Sequence, residues 1–296
     1  MPTRLQLARK DMIQAFEELH SRVFRQRDIE SILKVHRAKW RLAQTTGTRE
    51  FIDYLKESGK LKKLEFPFPR RKEIRYTWGV APLEEALLTL KPNIHFSHYT
   101  AVRMHGLTEQ DPKRIYLNFE QLSEGTASGN LVQERIDHAF SRPQRVTNNE
   151  CRIGELRICL LNGRKTGYLG VETRDVSVGN GPETVSARVT DIERTLIDIT
   201  VRPSYAGGVA EVLKAYERAG SQASVNRLAA LLIQLDHTYP YHQAVGFYLE
   251  RSGAYSASMI DLFYGKFARE FDFYLTYQME KPRFDSKWRL FVPRGF

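Results

Sequence analysis

The sequence predicts an α+β protein in two parts. An N-terminal winged helix-turn-helix is expected over residues 1–80, followed by a mixed α/β domain over residues 81–296. Three observations carry this. Nearly all the excess positive charge lies in the first quarter of the chain. That same quarter shows three helix-period segments followed by an alternating, hairpin-like segment. Beyond it, strand-like and helix-like segments mix without any repeat.

The charge is lopsided. Of a formal net charge of +10, residues 1–80 hold 19 Lys/Arg against 10 Asp/Glu, and residues 81–296 hold 26 against 25. Solubility alone does not require that asymmetry, and a basic head on a neutral body points to a polyanion as partner. Phospholipid is disfavoured, because the head lacks a helix with a bulky exposed apolar face flanked by lysines. No run approaches the ~18 apolar residues that span a bilayer, and MPTRLQLARKDM lacks the apolar stretch of a signal peptide. With only Cys151 and Cys159 and no CxxC pair, neither a disulfide framework nor a thiolate zinc site is expected. The expectation is a cytoplasmic protein with two incidental thiols.

In the head, QLARKDMIQAFEELHS (6–21) repeats apolar residues at Leu7, Met12, Ile13, Phe16 and Leu19, a helical spacing. RDIESILKVHR gives a second helix through Ile29, Ile32, Leu33 and Val35, with Asp28 at its N-terminal end. LAQTTGT is a polar turn. REFIDYLKESGKL is a third helix with Phe51, Ile52 and Leu55 inward, Arg49, Glu50, Asp53 and Lys56 outward, and Gly59 at the C-terminal cap. KLKKLEFPFPRRKEIRYTWG reads as a β-hairpin.

In a winged helix the third helix enters the major groove, and its N-terminal end lies nearest the bases. Arg49 is the first candidate for a base contact, since a guanidinium can bond guanine O6 and N7 together. Thr46 and Thr48 are candidates for capping that helix and for donating to phosphate. Glu50 and Asp53 repel phosphate unless they point away or accept from cytosine. The wing offers Arg70, Arg71, Lys72 and Arg75, the connector Arg37, Lys39 and Arg41, and the third helix with its exit Lys56, Lys60, Lys62 and Lys63. Recurrence of basic segments within one small fold favours phosphate contact over a merely solvated surface. Winged helices also serve as protein-docking modules.

In the body, LEEALLTLKP (83–92) reads as a helix ended by Pro92. HFSHYTAVRMHGL (95–107) places Ser97 at an N-cap and Gly106 just past a C-terminus, with Leu107 making the apolar contact that follows such a cap. His98 and His105 fall on one face, but seven residues along a helix separate them by about 10 Å, too far to share a metal ion. Ser97 lacks the GxSxG elbow of a hydrolase. The histidines are therefore read as structural. KRIYLNFE (113–120), ELRICLLNG (155–163), GYLGVETRDVS (167–177) and TVSARV (184–189) read as strands and ERIDHAFS (134–141) as a helix, with GRKTG and GNGPE as turns, the first a hairpin turn. VTDIERTLIDIT (189–200) starts a helix with Thr190 and Glu193 as a capping box and Ile192, Leu196 and Ile199 as its apolar stripe. Three more helices follow, in GGVAEVLKAYERAG, SVNRLAALLIQLD and HQAVGFYLERSG, and EFDFYLTY and KWRLFVPRGF close the chain as strands.

Enzymatic signals are weak. GRKTG is not a phosphate-binding loop, and the Gly-Ser turn at 220–221 is followed by Asp236 without the second carboxylate that metal-dependent nucleotidyl transfer needs. Glu172 and Asp175 sit on a strand without the lysine of a nuclease core. No catalytic residue, metal ligand or cofactor is expected.

FSHYTAVRMHGLTEQ, KRIYLNFE, VTDIERTLIDIT with the nearby YAGGVAEVLKAY, YHQAVGFYLERSG and WRLFVP together resemble the AbiEi-like regulators, the antitoxin half of type IV toxin–antitoxin (abortive-infection) systems. The resemblance runs from the head to the C-terminus. It implies an N-terminal winged helix that binds double-stranded operator DNA, usually at promoter repeats, and a C-terminal α/β domain with antitoxin activity. It also implies a repressor of its own operon that counteracts a nucleotidyltransferase toxin, usually encoded alongside, with no stable complex between the two required. The head here is longer than the compact form of the family. A DNA-targeted, metal-dependent nuclease, a stand-alone regulator without a toxin, and an adaptor whose head docks an acidic protein are the competing readings.

Overall fold

The computed structural model describes residues 2–121, 130–177 and 183–296. The chain is mixed α+β and divides into two compact units, the first ending at Pro92 and the second beginning at Asn93, with residues 183–185 grouped with the first.

The first unit opens with α1 (Arg4–Leu7) and α2 (Arg9–Glu17), followed by β1 (Val23–Phe24), α3 (Gln26–His36) and α4 (Thr48–Glu57), then β2 (Leu61–Pro67), β3 (Lys72–Trp78) and α5 (Leu83–Leu88). Its three strands lie in the order β1-β3-β2, both pairings antiparallel. Asp28 sits in the first turn of α3 and accepts from the Arg25 backbone N–H at 2.7 Å, closing the helix start. Gly59 follows the C-cap of α4 with φ of 77° and donates to the Lys56 carbonyl at 2.9 Å, the left-handed stop the sequence anticipates. Met12, Phe16, Ile29, Leu33, Phe51, Ile52 and Leu55 pack with Leu61, Tyr76 and Trp78 into one core. Phe16 stacks on Trp78 at 4.5 Å between ring centroids.

This unit runs past the expected boundary at residue 80. α5 ends at Leu88, with Thr89 as its C-terminal cap, not at Pro92, and the hairpin holds that cap: Arg75 bonds the Thr89 hydroxyl at 2.7 Å and the Thr89 carbonyl at 2.8 Å.

The second unit begins with β4 (His95–Phe96), α6 (His98–Met104), β5 (Arg114–Glu120), α7 (Gln133–Phe140), β6 (Glu150–Ile153), β7 (Leu156–Gly163), β8 (Val171–Ser177) and β9 (Thr184–Thr190). It continues with α8 (Ile192–Val201), α9 (Val209–Ala219), α10 (Val225–Leu235), α11 (Tyr241–Arg251), α12 (Ala257–Gly265), β10 (Phe273–Tyr274), β11 (Arg283–Asp285) and β12 (Leu290–Val292). The main sheet has the order β6-β7-β5-β4-β9-β8, and a small sheet has the order β10-β12-β11. β5 pairs in parallel with β7 from Arg114↔Arg157 to Glu120↔Gly163, and β4 meets β9 in parallel at Phe96↔Val189.

That strand order corrects the reading of GRKTG. β7 and β8 are not neighbours, so the segment is a crossover and not a hairpin turn. It wraps around the Glu120 carboxylate, which accepts from the N–H groups of Thr166, Gly167 and Tyr168, each at 2.9 Å, and from the Thr166 hydroxyl. The expected GNGPE turn falls largely on 178–182, outside the described residues.

α8 is buried from Glu193 to Thr200 on every side, not on a stripe. Its cap is Asp191, which accepts from Arg194 N–H at 2.7 Å. Thr190, the expected cap, turns its hydroxyl to Thr195 at 2.8 Å. Most of the buried polar groups of α8 are matched, as burial all round demands, while Asp198 Oδ2 has no hydrogen-bond partner. Arg194 pairs with Asp198 at 2.8 Å one turn on, Glu193 accepts from Ser224 N–H at 2.7 Å, and Thr200 meets the Tyr216 hydroxyl at 2.9 Å. Cys151 and Cys159 are buried and unbridged, and burial pushes their thiols up to about 11 and about 12. Such thiols are poor nucleophiles at neutral pH. No helix among the described residues is long and apolar enough to cross a membrane.

Candidate nucleic-acid interface and a polar cavity

In the first unit, hydrophobic periodicity turns Phe51, Ile52 and Leu55 of α4 into the core and leaves the opposite side to solvent. Arg49 stands on that side with its side chain 96% exposed, and Lys56 is about two turns further on. Asp53 lies between them, 4.0 Å from Arg49 and 3.2 Å from Lys56. The acidic residue that argued against a phosphate-facing helix is thus flanked by two cations.

The hairpin register sorts the wing residues by face, because side chains alternate along a strand. Lys63, Glu65 and Lys72 share a face with Ile74 and Tyr76, and those last two pack with α4 in the core. Glu65 bridges Lys63 at 2.5 Å and also pairs with Lys72. These two lysines hold its carboxyl down at about 2. Arg70 and Arg71 stand exposed at the hairpin turn, Arg71 3.5 Å from Glu73. Lys39, Arg41 and Lys62 are exposed, with no ion pair among the described residues, and Lys60 pairs with Glu17 at 3.2 Å.

Three of the sequence-derived candidates are not surface groups of this kind. Arg75 lies on the other face of the hairpin, with Lys62, Leu64 and Glu73. It is only 3% exposed and is committed to Thr89, the Ile74 carbonyl (2.7 Å) and Glu73 (3.3 Å). Thr46 is buried. Arg37 turns back onto the connector and donates to the Ala43 carbonyl at 2.5 Å and the Thr46 carbonyl at 3.0 Å, shaping the turn before α4. Thr48 is half-buried as the first residue of α4, and the cap position is Gly47, so neither threonine caps the helix. A basic recess that the sequence reading missed lies nearby. Arg25, Arg27, Arg71, Arg75 and Lys91 line a hollow of about 360 Å³ together with Glu73, which pairs with Arg71, Arg75 and Lys91. Only the folded hairpin brings these distant positions together.

The second unit contains a larger cavity, about 510 Å³. Arg145, Arg164, Arg194 and Arg202 line it together with His98, His237 and one carboxylate, Asp198. The histidines of HFSHYTAVRMHGL therefore divide. His105 is a buried strut: its Nε2–H donates to the Thr190 carbonyl at 2.6 Å, and its Nδ1 accepts from Arg174 at 2.6 Å. Gly106, with φ of 71°, and Leu107 close α6 as expected, through bonds to the Arg103 and Val102 carbonyls, each at 2.9 Å. His98 faces the cavity with φ of 51°, a left-handed conformation uncommon for a residue with a side chain. Its Nδ1 lies 2.9 Å from the Ser97 hydroxyl, which consequently does not cap α6.

Burial pushes His95, His98 and His237 down to about 4, so all three are neutral at pH 7. Burial works against ionisation of Asp198, but Arg194 outweighs it and holds the carboxyl below its usual range. Glu172 and Asp175 are exposed on β8. Among the described residues no group of three or more His, Cys, Asp or Glu side chains is placed to hold a metal ion.

No protein-family model matches this chain, and no curated protein does. Among solved structures, the crystal structure of the RV2827C protein from Mycobacterium tuberculosis is similar, with a TM-score of 0.61 and 14% sequence identity. The match covers 98% of this chain and 92% of that one, so the two share a fold along nearly their whole length.

Proposed function

We propose that the first unit is a winged helix-turn-helix that grips duplex DNA, and that the chain is a cytoplasmic, non-enzymatic transcriptional repressor with antitoxin activity, as its resemblance to the AbiEi-like regulators implies. The observation that carries the reading is one basic face. α4 presents Arg49 and Lys56 to solvent, and the adjoining hairpin face carries Lys63 and Lys72, with Arg70 and Arg71 at its turn. A helix with a free N-terminal turn beside a basic hairpin has the parts needed to read a major groove and hold its flanking phosphates. Arg49 reads a base edge in this arrangement. The hairpin cations and Lys39 and Arg41 of the connector hold phosphate. Thr48, at the first turn, is available to phosphate only through its half-exposed side. The target is promoter DNA, in repeats, and the counteracted partner is a nucleotidyltransferase toxin encoded alongside, with no stable complex required.

Footprinting of the chain on the DNA upstream of its own reading frame tests this. Protected repeats are expected, and Arg49→Ala should lower the preference for them over random duplex by about 1–3 kcal/mol, the worth of one bidentate base contact. Equal affinity for upstream and random DNA in the parent protein would refute the operator reading.

A further inference from the structure

We propose that the cavity in the second unit is a binding site for a small phosphorylated molecule of mononucleotide size, a ligand separate from the DNA assigned to the head. Four arginines and one aspartate line it, a net of three positive charges, since the two lining histidines are neutral. Asp198 is already matched by Arg194 at 2.8 Å. The uncompensated cations are Arg145, Arg164 and Arg202. Arg202 donates to the Arg145 carbonyl at 2.9 Å and Arg164 to the Asp236 carbonyl at 3.0 Å, and none of the three has a carboxylate partner among the described residues. Arg164 and Arg202, anchored by carbonyls with N–H groups left over, are held in place for a multivalent anion beside the Arg145 side chain, and planar guanidinium groups suit phosphate better than any neutral group.

The walls and floor define the rest of the ligand. Val201, Leu161 and Tyr205 supply an apolar wall, and the Asn118 and Asn162 amides a polar one. Two lining residues hold buried atoms without a hydrogen-bond partner, Asp198 Oδ2 and His237 Nε2. Asp198 is 8% exposed and lies on the fully buried helix α8. Unpaired buried polar atoms in residues that line a cavity are costly, and a hydroxyl or amine donor and a second polar atom on a ligand are the groups that suit them. A cavity of about 510 Å³ falls within the roughly 300–1,000 Å³ of small-ligand sites. A phosphate on the arginines, a sugar or base against Tyr205 and Val201, and a donor towards Asp198 match the charge and polarity of the lining. A cation is opposed by the net charge, and a wholly apolar ligand leaves the arginines and the two orphaned atoms unmet.

The test is isothermal titration calorimetry on the full chain with inorganic phosphate, ribose 5-phosphate, AMP and adenosine as probes. Saturable binding of AMP and ribose 5-phosphate, weaker binding of phosphate and none of adenosine are expected. Arg145 makes no side-chain hydrogen bond among the described residues, so Arg145→Ala keeps the fold, while Arg202→Ala loses one anchor. Each should weaken AMP about tenfold, the scale of one charge-assisted hydrogen bond, with an unchanged denaturation midpoint for Arg145→Ala. No phosphate-dependent binding at millimolar concentration, adenosine binding as well as AMP, or unaltered AMP affinity in both variants would overturn the proposal. Displacement of AMP by duplex DNA would also overturn it, because the cavity would then take nucleic-acid phosphate. DNA binding by the head is read separately, by anisotropy, and stands or falls independently.

Discussion

Replacing Arg75 with alanine separates structure from recognition in the first unit. Both the composition of the wing and its spacing group Arg75 with Arg70, Arg71 and Lys72, but the folded hairpin turns it to the opposite face and buries it. Its guanidinium makes bonds of 2.7, 2.8 and 2.7 Å to the Thr89 hydroxyl, the Thr89 carbonyl and the Ile74 carbonyl, and a 3.3 Å contact with Glu73. Hydrogen bonds from a charged donor are worth ~1.5–3 kcal/mol each when their partners are left unmet. Here the partners keep alternatives. The Thr89 carbonyl retains Arg25 at 2.7 Å, and Glu73 retains Arg71 at 3.5 Å and Lys91 at 3.6 Å. The expected loss is therefore about 2–3 kcal/mol, below the ~3–5 kcal/mol for breaking a buried pair that has no substitute. Urea denaturation followed by tryptophan fluorescence, in which Trp40 and Trp78 report on this unit and Trp288 on the second, should show the midpoint of the first unit drop by about 0.7–3 M for a slope near 1–3 kcal/mol per molar. DNA affinity and its salt dependence, measured where the variant is folded, should match the parent. The triple variant Arg70→Ala, Arg71→Ala, Lys72→Ala should do the reverse, keeping stability within ~0.5 kcal/mol and reducing the salt slope by up to about one per lost phosphate contact. An Arg75→Ala protein with parental stability and a shallower salt slope would refute this division of labour.

Two further perturbations probe the second unit. A methyl group at Gly246 of α11 would overlap the six-membered ring of Trp288, with Cε3 at 2.6 Å, so Gly246→Ala should destabilise by ~1–3 kcal/mol through overpacking despite the ~1 kcal/mol that alanine gains in a helix. In a Trp288→Leu background the sign of that substitution should reverse, as read by thermal or chemical denaturation. The buried histidines make stability fall with acid. Since His95, His98 and His237 titrate near 4 when folded and near 6.5 unfolded, their contribution is full above pH 6.5 and is lost as pH falls towards 4. Each adds a slope of up to ~1.4 kcal/mol per pH unit. His98→Asn, which tolerates the left-handed backbone, should flatten the acid limb of a stability–pH curve, and an unchanged limb would contradict the assignment.

How much the sequence reveals depends on how local the cause is. The α3 and α4 faces, the stop at Gly59, the Gly106–Leu107 closure and the β5 and β7 strands follow from periodicity and capping within a few residues, and all are legible. The strand order is not, because the decision that GRKTG crosses over instead of turning back rests on pairing β5 with β7 across forty residues. Thr190 and Asp191 are both good caps, and only the end of β9 and the Thr195 hydroxyl decide between them. In the basic face, Arg49, Lys56 and the hairpin-turn arginines are legible from helical and turn positions, whereas the burial of Arg75 depends on a two-residue alternation whose register is set by the turn. The cavity is invisible in the sequence: its arginines come from three separate segments, Arg145, Arg164, and Arg194 with Arg202 on α8 and its C-terminal cap, and α8 reads as an ordinary amphipathic stripe until burial on every side is seen.

The central claim, that the exposed cations of the first unit hold the phosphates of a duplex, is tested most directly by the salt dependence of DNA binding by the full chain. With about five phosphates neutralised, log K should fall against log[salt] with a slope of about −4 to −5 between roughly 50 and 200 mM salt. Failure to bind duplex DNA at the lowest salt, or binding that salt leaves unchanged, would contradict it.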